Sequence, residues 1–298
     1  MLGLGKTAAG KGYADRFWRS LDGLQLHARD YPAASGLALQ PVICIHGLTR
    51  NARDFEDLAP RLAAAGRRVL ALDVRGRGDS AWDPHPMNYL PAVYAADVIA
   101  LMSALAISKA LFIGTSMGGM ITMALASMKS ELVAGAVLND IGPEVGPAGV
   151  ARIMSYVGLP AEVADWRGAA AYVRARNADV FPHYDAADWA KMARRVFRED
   201  ASGRPMLDYD PAIATPFKAA PVAPAASLWP LWSRLATKRP VLVIRGGASD
   251  LLTQRTVARM RKTAPKTLFA EVPDIGHAPM LDEPAALEAL MAFLAARP

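Results

Sequence analysis

The stretch LFIGTSMGGMIT, residues 111–122, decides the fold. An apolar run typical of a buried strand leads into Gly114, and a second run, typical of a helix, follows Gly118. Between them lies Ser116, with one glycine two residues before it and another two residues after it. This G-x-S-x-G spacing is typical of a tight strand-to-helix turn, where larger side chains would collide with neighbouring chain. The turn predicts a hydroxyl that projects from the carboxyl end of a sheet, which makes Ser116 a candidate nucleophile.

Strands and helices alternate in both directions from this turn. Short apolar runs are separated by stretches with apolar residues at helical spacing, and a hairpin signal at Asp22-Gly23 precedes them. Because this order is typical of parallel strands joined by helices, the sequence predicts an α/β fold with a mostly parallel central sheet and helices on both faces. The predicted strands cover 42–47, 67–74, 109–114, 132–140, 240–246 and 267–274, and predicted helices cover 92–107, 117–128, 254–263 and a segment from Pro284.

The alternation stops between residues 142 and 239. This segment contains helical patterns, such as PAEVADWRGAAAYVRAR (160–176) and DWAKMARRVFRED (188–200), but no run typical of a buried strand. We therefore predict a helical cap at 142–239, inserted into an α/β core that comprises 13–141 and 240–298. Residues 1–12 are predicted to form a flexible tail.

Composition and charge exclude several classes of function. The 298 residues include 34 basic and 28 acidic side chains, and the excess forms no basic stripe with interleaved aromatics, so we expect no nucleic-acid partner. No apolar run is long enough to span a membrane, and the first residues lack the apolar region of a signal peptide. The single cysteine, Cys44, allows no intrachain disulfide, which favours a cytoplasmic location. The sequence does not predict the oligomeric state.

A serine nucleophile needs a base and an acid, and two loops can supply them. His277 lies in PDIGHAPMLDEP (273–284), after the last predicted strand, and is the candidate base. Asp250, in VIRGGASDLL (243–252), follows the penultimate strand and is our preferred acid, because its glycine-rich loop would let it approach His277. The order Ser116, Asp250, His277 is the order expected for such a triad. Asp140, at the end of the strand before the insertion, is the rival acid.

Two backbone amides are candidates for an oxyanion hole. One is the N–H of Met117, directly after the candidate nucleophile, and the other is the N–H of Leu48, in the loop after the first buried strand. Arg50 and Asn51 in that loop either contact a polar acyl group or serve as a solvated side chain and a helix cap. None of these residues implies a metal or an organic cofactor.

Five segments in this order resemble the α/β-hydrolase superfamily, in its serine hydrolase or esterase form with a helical cap. They are IHGLTRN (45–51), LDVRGRGDS (72–80), GTSMGG (114–119), GGASD (246–250) and IGHAPMLDEP (275–284). The resemblance implies hydrolysis of carboxylic esters of small molecules through an acyl-enzyme on the triad. Ser116 argues against the dehalogenases and epoxide hydrolases of the superfamily, which use a carboxylate nucleophile.

Two other functions remain open at this stage. The same triad occurs in C–C bond (meta-cleavage product) and enol-lactone hydrolases of aromatic degradation, although HGLTRNARD (46–54) lacks the longer glycine-rich segment that many of them carry. A ligand receptor on the same fold is the third alternative, and the complete set of catalytic residues favours an enzyme over it.

Overall fold

A nine-stranded sheet forms the centre of the protein in a computed structural model that describes residues 3–4, 12–34, 39–219 and 227–297. The nine strands of this sheet are β1 (Gly3–Leu4), β2 (Ala14–Arg19), β3 (Gln25–Tyr31), β4 (Val42–Ile45), β5 (Val69–Asp73), β6 (Ala110–Thr115), β7 (Val133–Asn139), β10 (Val241–Gly246) and β11 (Leu268–Val272), while β8 (Phe197–Glu199) and β9 (Pro205–Leu207) form a separate two-stranded sheet. Across the large sheet the order is β1-β2-β3-β5-β4-β6-β7-β10-β11. In this order, neighbouring strands pair antiparallel from β1 to β5 and parallel from β5 to β11.

Helices cover both faces of this sheet. Within the described ranges, no helix is both long enough and apolar enough to cross a membrane. The helices are α1 (Leu58–Ala64), α2 (Pro91–Ala104), α3 (Met117–Met128), α4 (Pro147–Met154), α5 (Trp166–Asn177), α6 (Ala186–Val196), α7 (Thr215–Ala219), α8 (Trp229–Ala236), α9 (Gln254–Thr263) and α10 (Pro284–Ala295).

Alternating side chains of the central strands fill two separate apolar layers. Along β4, Ile43 and Ile45 point into one layer with residues of α2, α3 and α8, while Val42 and Cys44 point into the other with residues of α1 and α10. Parallel strands need cover on both faces, which explains why these runs are almost wholly apolar. The predicted fold class is confirmed, and each predicted buried strand is present with its ends shifted by at most two residues.

The segment between β7 and β10 differs in two respects from the predicted all-helical cap. The helix predicted over 188–200 ends at Val196, and β8 then pairs antiparallel with β9. The cap was also predicted to extend to residue 239, but α8 packs against α3 and its Trp232 is fully buried in a layer of the core. The structure therefore groups α8 with the core helices. The Ala/Pro-rich residues 220–226 before it lie outside the described residues.

Part of the predicted flexible tail, residues 1–12, is a strand in the structure. Gly3–Leu4 pairs antiparallel with β2, whereas residues 1–2 and 5–11 lie outside the described residues. Pairing of the backbone needs no particular side chain, so the composition of this segment gave no signal for it.

Ion pairs attach the cap to the loop and helix that follow β4. Arg195 of α6 pairs with Glu56 at 2.9 Å and with Asp57 at 2.5 Å, and Arg53 pairs with Asp208 at 2.5 Å. The Asn51 side-chain amide donates to the Arg195 carbonyl at 2.8 Å, and its oxygen accepts from the Arg53 N–H. Asn51 therefore caps the short helix that begins at Ala52, and it also bonds to the inserted segment through Arg195. Of the two roles predicted for Asn51, the structure shows the helix cap.

A buried ion cluster fixes the loop after β5. The Arg75 side chain is 1% exposed and pairs with Asp83 at 2.5 Å, Asp97 at 2.6 Å and Asp22 at 2.8 Å. Burial raises the pKa of Asp97 to about 6, against the opposing hydrogen bond from Arg75. The guanidinium thus compensates two carboxylates that have little access to water.

Arg75→Met should lower the free energy of unfolding by about 3–5 kcal/mol, because it leaves buried carboxylates without their cation. Urea unfolding followed by circular dichroism measures this change. Arg68→Met is the matched control: Arg68 is 35% exposed, and its partner Asp30 keeps a second bond to Arg16, so the expected loss is under about 1 kcal/mol. Equal losses in the two variants would contradict the role assigned to the Arg75 cluster.

Candidate active site

The turn between β6 and α3 holds Ser116 in a conformation that few residues adopt. Its φ is 52° and its ψ is −115°, outside the regions favoured by L-residues. The glycines on either side are required by contact: a Cβ on Gly118 would lie 2.0 Å from the Ile45 carbonyl oxygen, and one on Gly114 would lie 2.4 Å from Gly118. The G-x-S-x-G pattern is therefore explained by two close approaches, of Gly118 to β4 and of Gly114 to Gly118 within the turn.

His277 lies on the loop after β11 and reaches Ser116 across the edge of the sheet. Its Nε2 is 2.8 Å from the Ser116 Oγ, and its Nδ1 is 2.8 Å from Oδ2 of Asp140. Since an ionised carboxylate only accepts, Nδ1 carries the proton on that side and Nε2 is left to accept from the hydroxyl. A hydroxyl, an imidazole and a carboxylate thus form one hydrogen-bonded line.

Asp140 follows β7 and is completely buried. Gly246 N–H donates to its Oδ1 at 2.8 Å, and the Ser249 hydroxyl donates to its Oδ2 at 2.5 Å. The backbone of Asp140 has a φ of 53°, a left-handed conformation that only a minority of non-glycine residues adopt. These donors stabilise the carboxylate and fix its orientation toward His277.

Asp250, the acid preferred from the sequence, is not on the imidazole. It pairs with Arg152 of α4 through two bonds, at 2.7 and 2.9 Å, and the hydrogen bond from Arg152 lowers the pKa of its carboxyl. The premise of a free glycine-rich loop was wrong, because Gly247 N–H bonds to the Val272 carbonyl and Ala248 N–H bonds to the Ile275 carbonyl. The rival, Asp140, occupies the position next to His277.

Ser249 connects this carboxylate to the loop after β10, and sequence reasoning missed it. While its hydroxyl donates to Asp140, its oxygen accepts from the N–H groups of Leu251 and Leu252 at 3.2 and 3.0 Å. No pattern in the sequence singles out this serine. The only signal is its place one residue before Asp250, in a loop that opens at the same edge of the sheet.

Leu48 and Met117 carry the two amides predicted for the oxyanion hole. Leu48 lines the same cavity as Ser116, and Met117 is the first residue of α3. In the described part of the chain, neither N–H donates to a protein acceptor. An N–H at the start of a helix also carries the positive end of the helix dipole.

Two buried side chains hold the Leu48 loop in place. Arg77 donates from Nε to the Leu48 carbonyl at 3.0 Å. His46 donates from Nδ1 to the Gly47 carbonyl at 2.7 Å, and its Nε2 accepts from the Val74 N–H at 3.1 Å. Burial lowers the pKa of His46 to about 4, so its imidazole is neutral near pH 7 and can hold both bonds.

A cavity of about 120 Å³ lies between the core and the cap beside Ser116. The core contributes the Leu48 loop with Arg50, whose guanidinium pairs with Asp54 at 2.6 Å. The cap contributes aromatic, aliphatic and basic side chains, among them Ile153, Tyr156, Tyr172, Val173, Arg176, Asn177 and Phe181. The arrangement suits a small molecule that presents a carbonyl to Ser116.

The sequence profile described as "Alpha/beta hydrolase family" matches residues 42–290, which include every element that positions this site. The chain belongs to the α/β-hydrolase family. This confirms the predicted superfamily and the predicted hydrolase class.

Curated relatives resemble this α/β-hydrolase over most of its length. The 3-hydroxybutyrate-oligomer hydrolase of Cupriavidus necator is 38% identical over 249 residues, which cover 82% of this chain and 84% of the relative. The esterase Rv0045c of Mycobacterium tuberculosis is 28% identical over 263 residues, covering 83% of this chain and 79% of the relative. Among solved structures, an α/β-hydrolase from Novosphingobium aromaticivorans is 46% identical, with a TM-score of 0.88 over 95% of this chain and 98% of that chain.

Proposed function

We propose that this α/β-hydrolase cleaves carboxylic ester bonds of small molecules through an acyl-enzyme on Ser116, with His277 as base and Asp140 as acid. The observation that carries this proposal is the line of two 2.8 Å contacts from the Asp140 carboxylate through His277 to the Ser116 hydroxyl. The chain is an ester-acting hydrolase, the class that both curated relatives support.

The first half-reaction forms the acyl-enzyme. His277 Nε2 takes the hydroxyl proton as the Ser116 Oγ attacks the ester carbonyl, and the Asp140 carboxylate stabilises the resulting imidazolium. The carbonyl oxygen becomes an oxyanion, which the N–H groups of Leu48 and Met117 bind. When the tetrahedral intermediate collapses, the bond to the alcohol oxygen breaks and His277 gives its proton to that oxygen.

The second half-reaction releases the acid. His277 takes a proton from water, whose oxygen attacks the acyl carbonyl, and the same two amides bind the second oxyanion. Collapse breaks the bond to the Ser116 Oγ, and His277 returns the proton to it. The cap side chains over the cavity, such as Tyr156, limit the access of bulk water to the intermediate.

One curated relative suggests where to look for the natural substrate. By its name, the Cupriavidus necator relative hydrolyses oligomers of 3-hydroxybutyrate, which are linear esters of a short hydroxy acid. A cavity of about 120 Å³ beside Ser116 suits a short acyl or hydroxyacyl group better than a long chain. We therefore propose short hydroxy-acid esters as the first natural compounds to assay.

Labelling with a fluorophosphonate tests the nucleophile directly. We expect one phosphonyl adduct per chain, mapped by mass spectrometry to the peptide with Ser116, and loss of p-nitrophenyl butyrate hydrolysis in proportion to labelling, because an activated serine oxygen attacks phosphorus as it attacks a carbonyl. Guanidine-unfolded protein is the control and should remain unlabelled. Full labelling elsewhere with retained activity, or cleavage of a ring-cleavage dienoate but of no ester, would contradict the proposal.

A further inference from the structure

We propose that the cavity selects esters that carry an ionised carboxylate, and that Arg176 binds this carboxylate. The inference rests on the proposed ester hydrolysis and adds to it the chemical class of the substrate. It follows from the charges in the cavity, from the contacts of Arg176 and from the fact that Arg176 and Ser116 line the same small cavity.

Among the described residues that line the cavity, one cation has no counterion. The side chains of Arg50, Asp54 and Arg176 all line it. Arg50 and Asp54 neutralise each other in an ion pair of 2.6 Å that uses both carboxylate oxygens. Within the ranges that the structure describes, Arg176 forms no ion pair with a carboxylate. A ligand with one negative charge would supply the missing counterion.

The cap holds the Arg176 guanidinium in a defined orientation. Its Nη1 donates to the Tyr172 carbonyl at 3.2 Å, and its central carbon lies 3.5 Å from the centroid of the Tyr172 ring. Stacking on an aromatic ring fixes the plane of a guanidinium without using its in-plane donors. The fork of N–H groups is thus oriented before any ligand binds, which favours binding of a planar carboxylate.

One N–H donor of the Arg176 guanidinium has no hydrogen-bond acceptor among the described residues. A guanidinium has five N–H donors. The Arg176 Nε is buried and has no hydrogen-bond partner among the described residues. Buried donors are almost always paired in folded proteins, so an unpaired one on a cavity side chain is accounted for by a ligand acceptor.

Ser116 and Arg176 line the same cavity of about 120 Å³ from opposite layers, Ser116 from the core and Arg176 from α5 of the cap. A short molecule can therefore present its ester carbonyl to Ser116 and its carboxylate to Arg176. Apolar side chains that line the same cavity, including Ile153 and Val173, match a short hydrocarbon link. A monoester of a short dicarboxylic acid has this layout, and so does a short linear oligoester of a hydroxy acid with its free acid end.

Matched esters test the inference. Wild-type protein is assayed with the p-nitrophenyl monoester of glutaric acid and with the isosteric branched alkanoate in which an isopropyl group replaces the carboxylate, after subtraction of the uncatalysed rates. We expect wild type to prefer the charged ester by about tenfold or more in kcat/KM, because a charge-assisted bond is stronger than the neutral contact that replaces it. In Arg176→Gln this preference should fall by about 10-fold to 100-fold, mainly through KM.

Two further variants separate binding from a structural role. Arg174→Gln is the matched control, because Arg174 lies on the same helix and is exposed. It should retain the wild-type preference. Arg176→Lys keeps the charge without the fork and should restore part of the preference that Arg176→Gln loses. Thermal unfolding of each variant checks that the fold is intact.

The outcomes distinguish this inference from the proposed function. If wild type hydrolyses both esters equally, or if Arg176→Gln lowers both rates by the same factor, the inference is overturned while ester hydrolysis stands. If wild type hydrolyses neither ester and no other ester tested, the proposed function fails, and the inference fails with it.

Discussion

Replacing Ser116 by alanine should lower kcat for p-nitrophenyl butyrate by about 10⁶-fold. The change removes only the oxygen that lies 2.8 Å from His277 Nε2, and it leaves the turn, the imidazole and the oxyanion amides in place. The residual rate should exceed that of water by about 10³–10⁴, because substrate binding and the oxyanion hole still act. Stopped assays with highly concentrated enzyme, freed of host esterases, measure this residual rate.

The matched control for this variant is Ser103→Ala, at an exposed serine near the end of α2. It should keep wild-type kcat and KM. Thermal unfolding of Ser116→Ala should stay close to that of wild type, since alanine meets no new contact in the turn. A Ser116→Ala enzyme with more than a few per cent of wild-type kcat would show that another group is the nucleophile.

Asp140→Asn should lower kcat by about 10⁴-fold. An asparagine amide beside His277 Nδ1 favours the tautomer with its proton on Nε2, which then cannot accept the proton of Ser116. The isosteric side chain preserves the volume of the fully buried site. Steady-state kinetics with p-nitrophenyl butyrate give kcat, and urea unfolding reports separately any stability lost at the bonds to Gly246 and Ser249.

Asp250→Asn is the control that discriminates between the two candidate acids. Because Asp250 pairs with Arg152 and not with His277, its replacement leaves the bond to the imidazole intact, and we expect kcat within about threefold of wild type. A fall of kcat in Asp250→Asn as large as that expected for Asp140→Asn, with Asp140→Asn nearly unaffected, would assign the acid to Asp250 after all.

The turn around Ser116 could be predicted from the sequence because its determinants are local. The glycines at 114 and 118 are required by contacts under 2.5 Å that any side chain would make, so their spacing identifies the turn. The buried strands were predicted for a similar reason, since strands covered on both faces must be apolar throughout. His277 followed from its place after the last strand, and it lies where that reasoning placed it.

The choice between the two candidate acids could not be predicted because both lie in loops that follow neighbouring strands. β7 and β10 pair in parallel, so Asp140 and Asp250 both lie at the edge of the sheet near His277. The choice depends on the conformation of Asp140, with its positive φ, and on Arg152, which reaches Asp250 from the cap. The sequence carries no separate signal for the backbone angle of Asp140. It carries none for the contact between Asp250 and Arg152 either, because these residues lie about a hundred positions apart in the chain.

The cap was the least predictable part for a related reason. The pair β8–β9 has three residues in each strand, too few for a periodic pattern, and Phe197 continued the helical spacing of α6. The helix α8 resembles the helices of the cap in composition, but it packs against α3 of the core. Tertiary contacts, not local preference, decide such short elements.

The one thiol of the chain has a practical consequence for labelling work. Cys44 lies in β4 between β5 and β6, has no exposed surface, and burial raises its pKa, so little reactive thiolate forms in the native state. A cysteine introduced on the surface of the cap would therefore take a maleimide fluorophore or a nitroxide selectively, with the natural sulfur left in place. Distances between cap and core can then be followed by spectroscopy in an otherwise unaltered background.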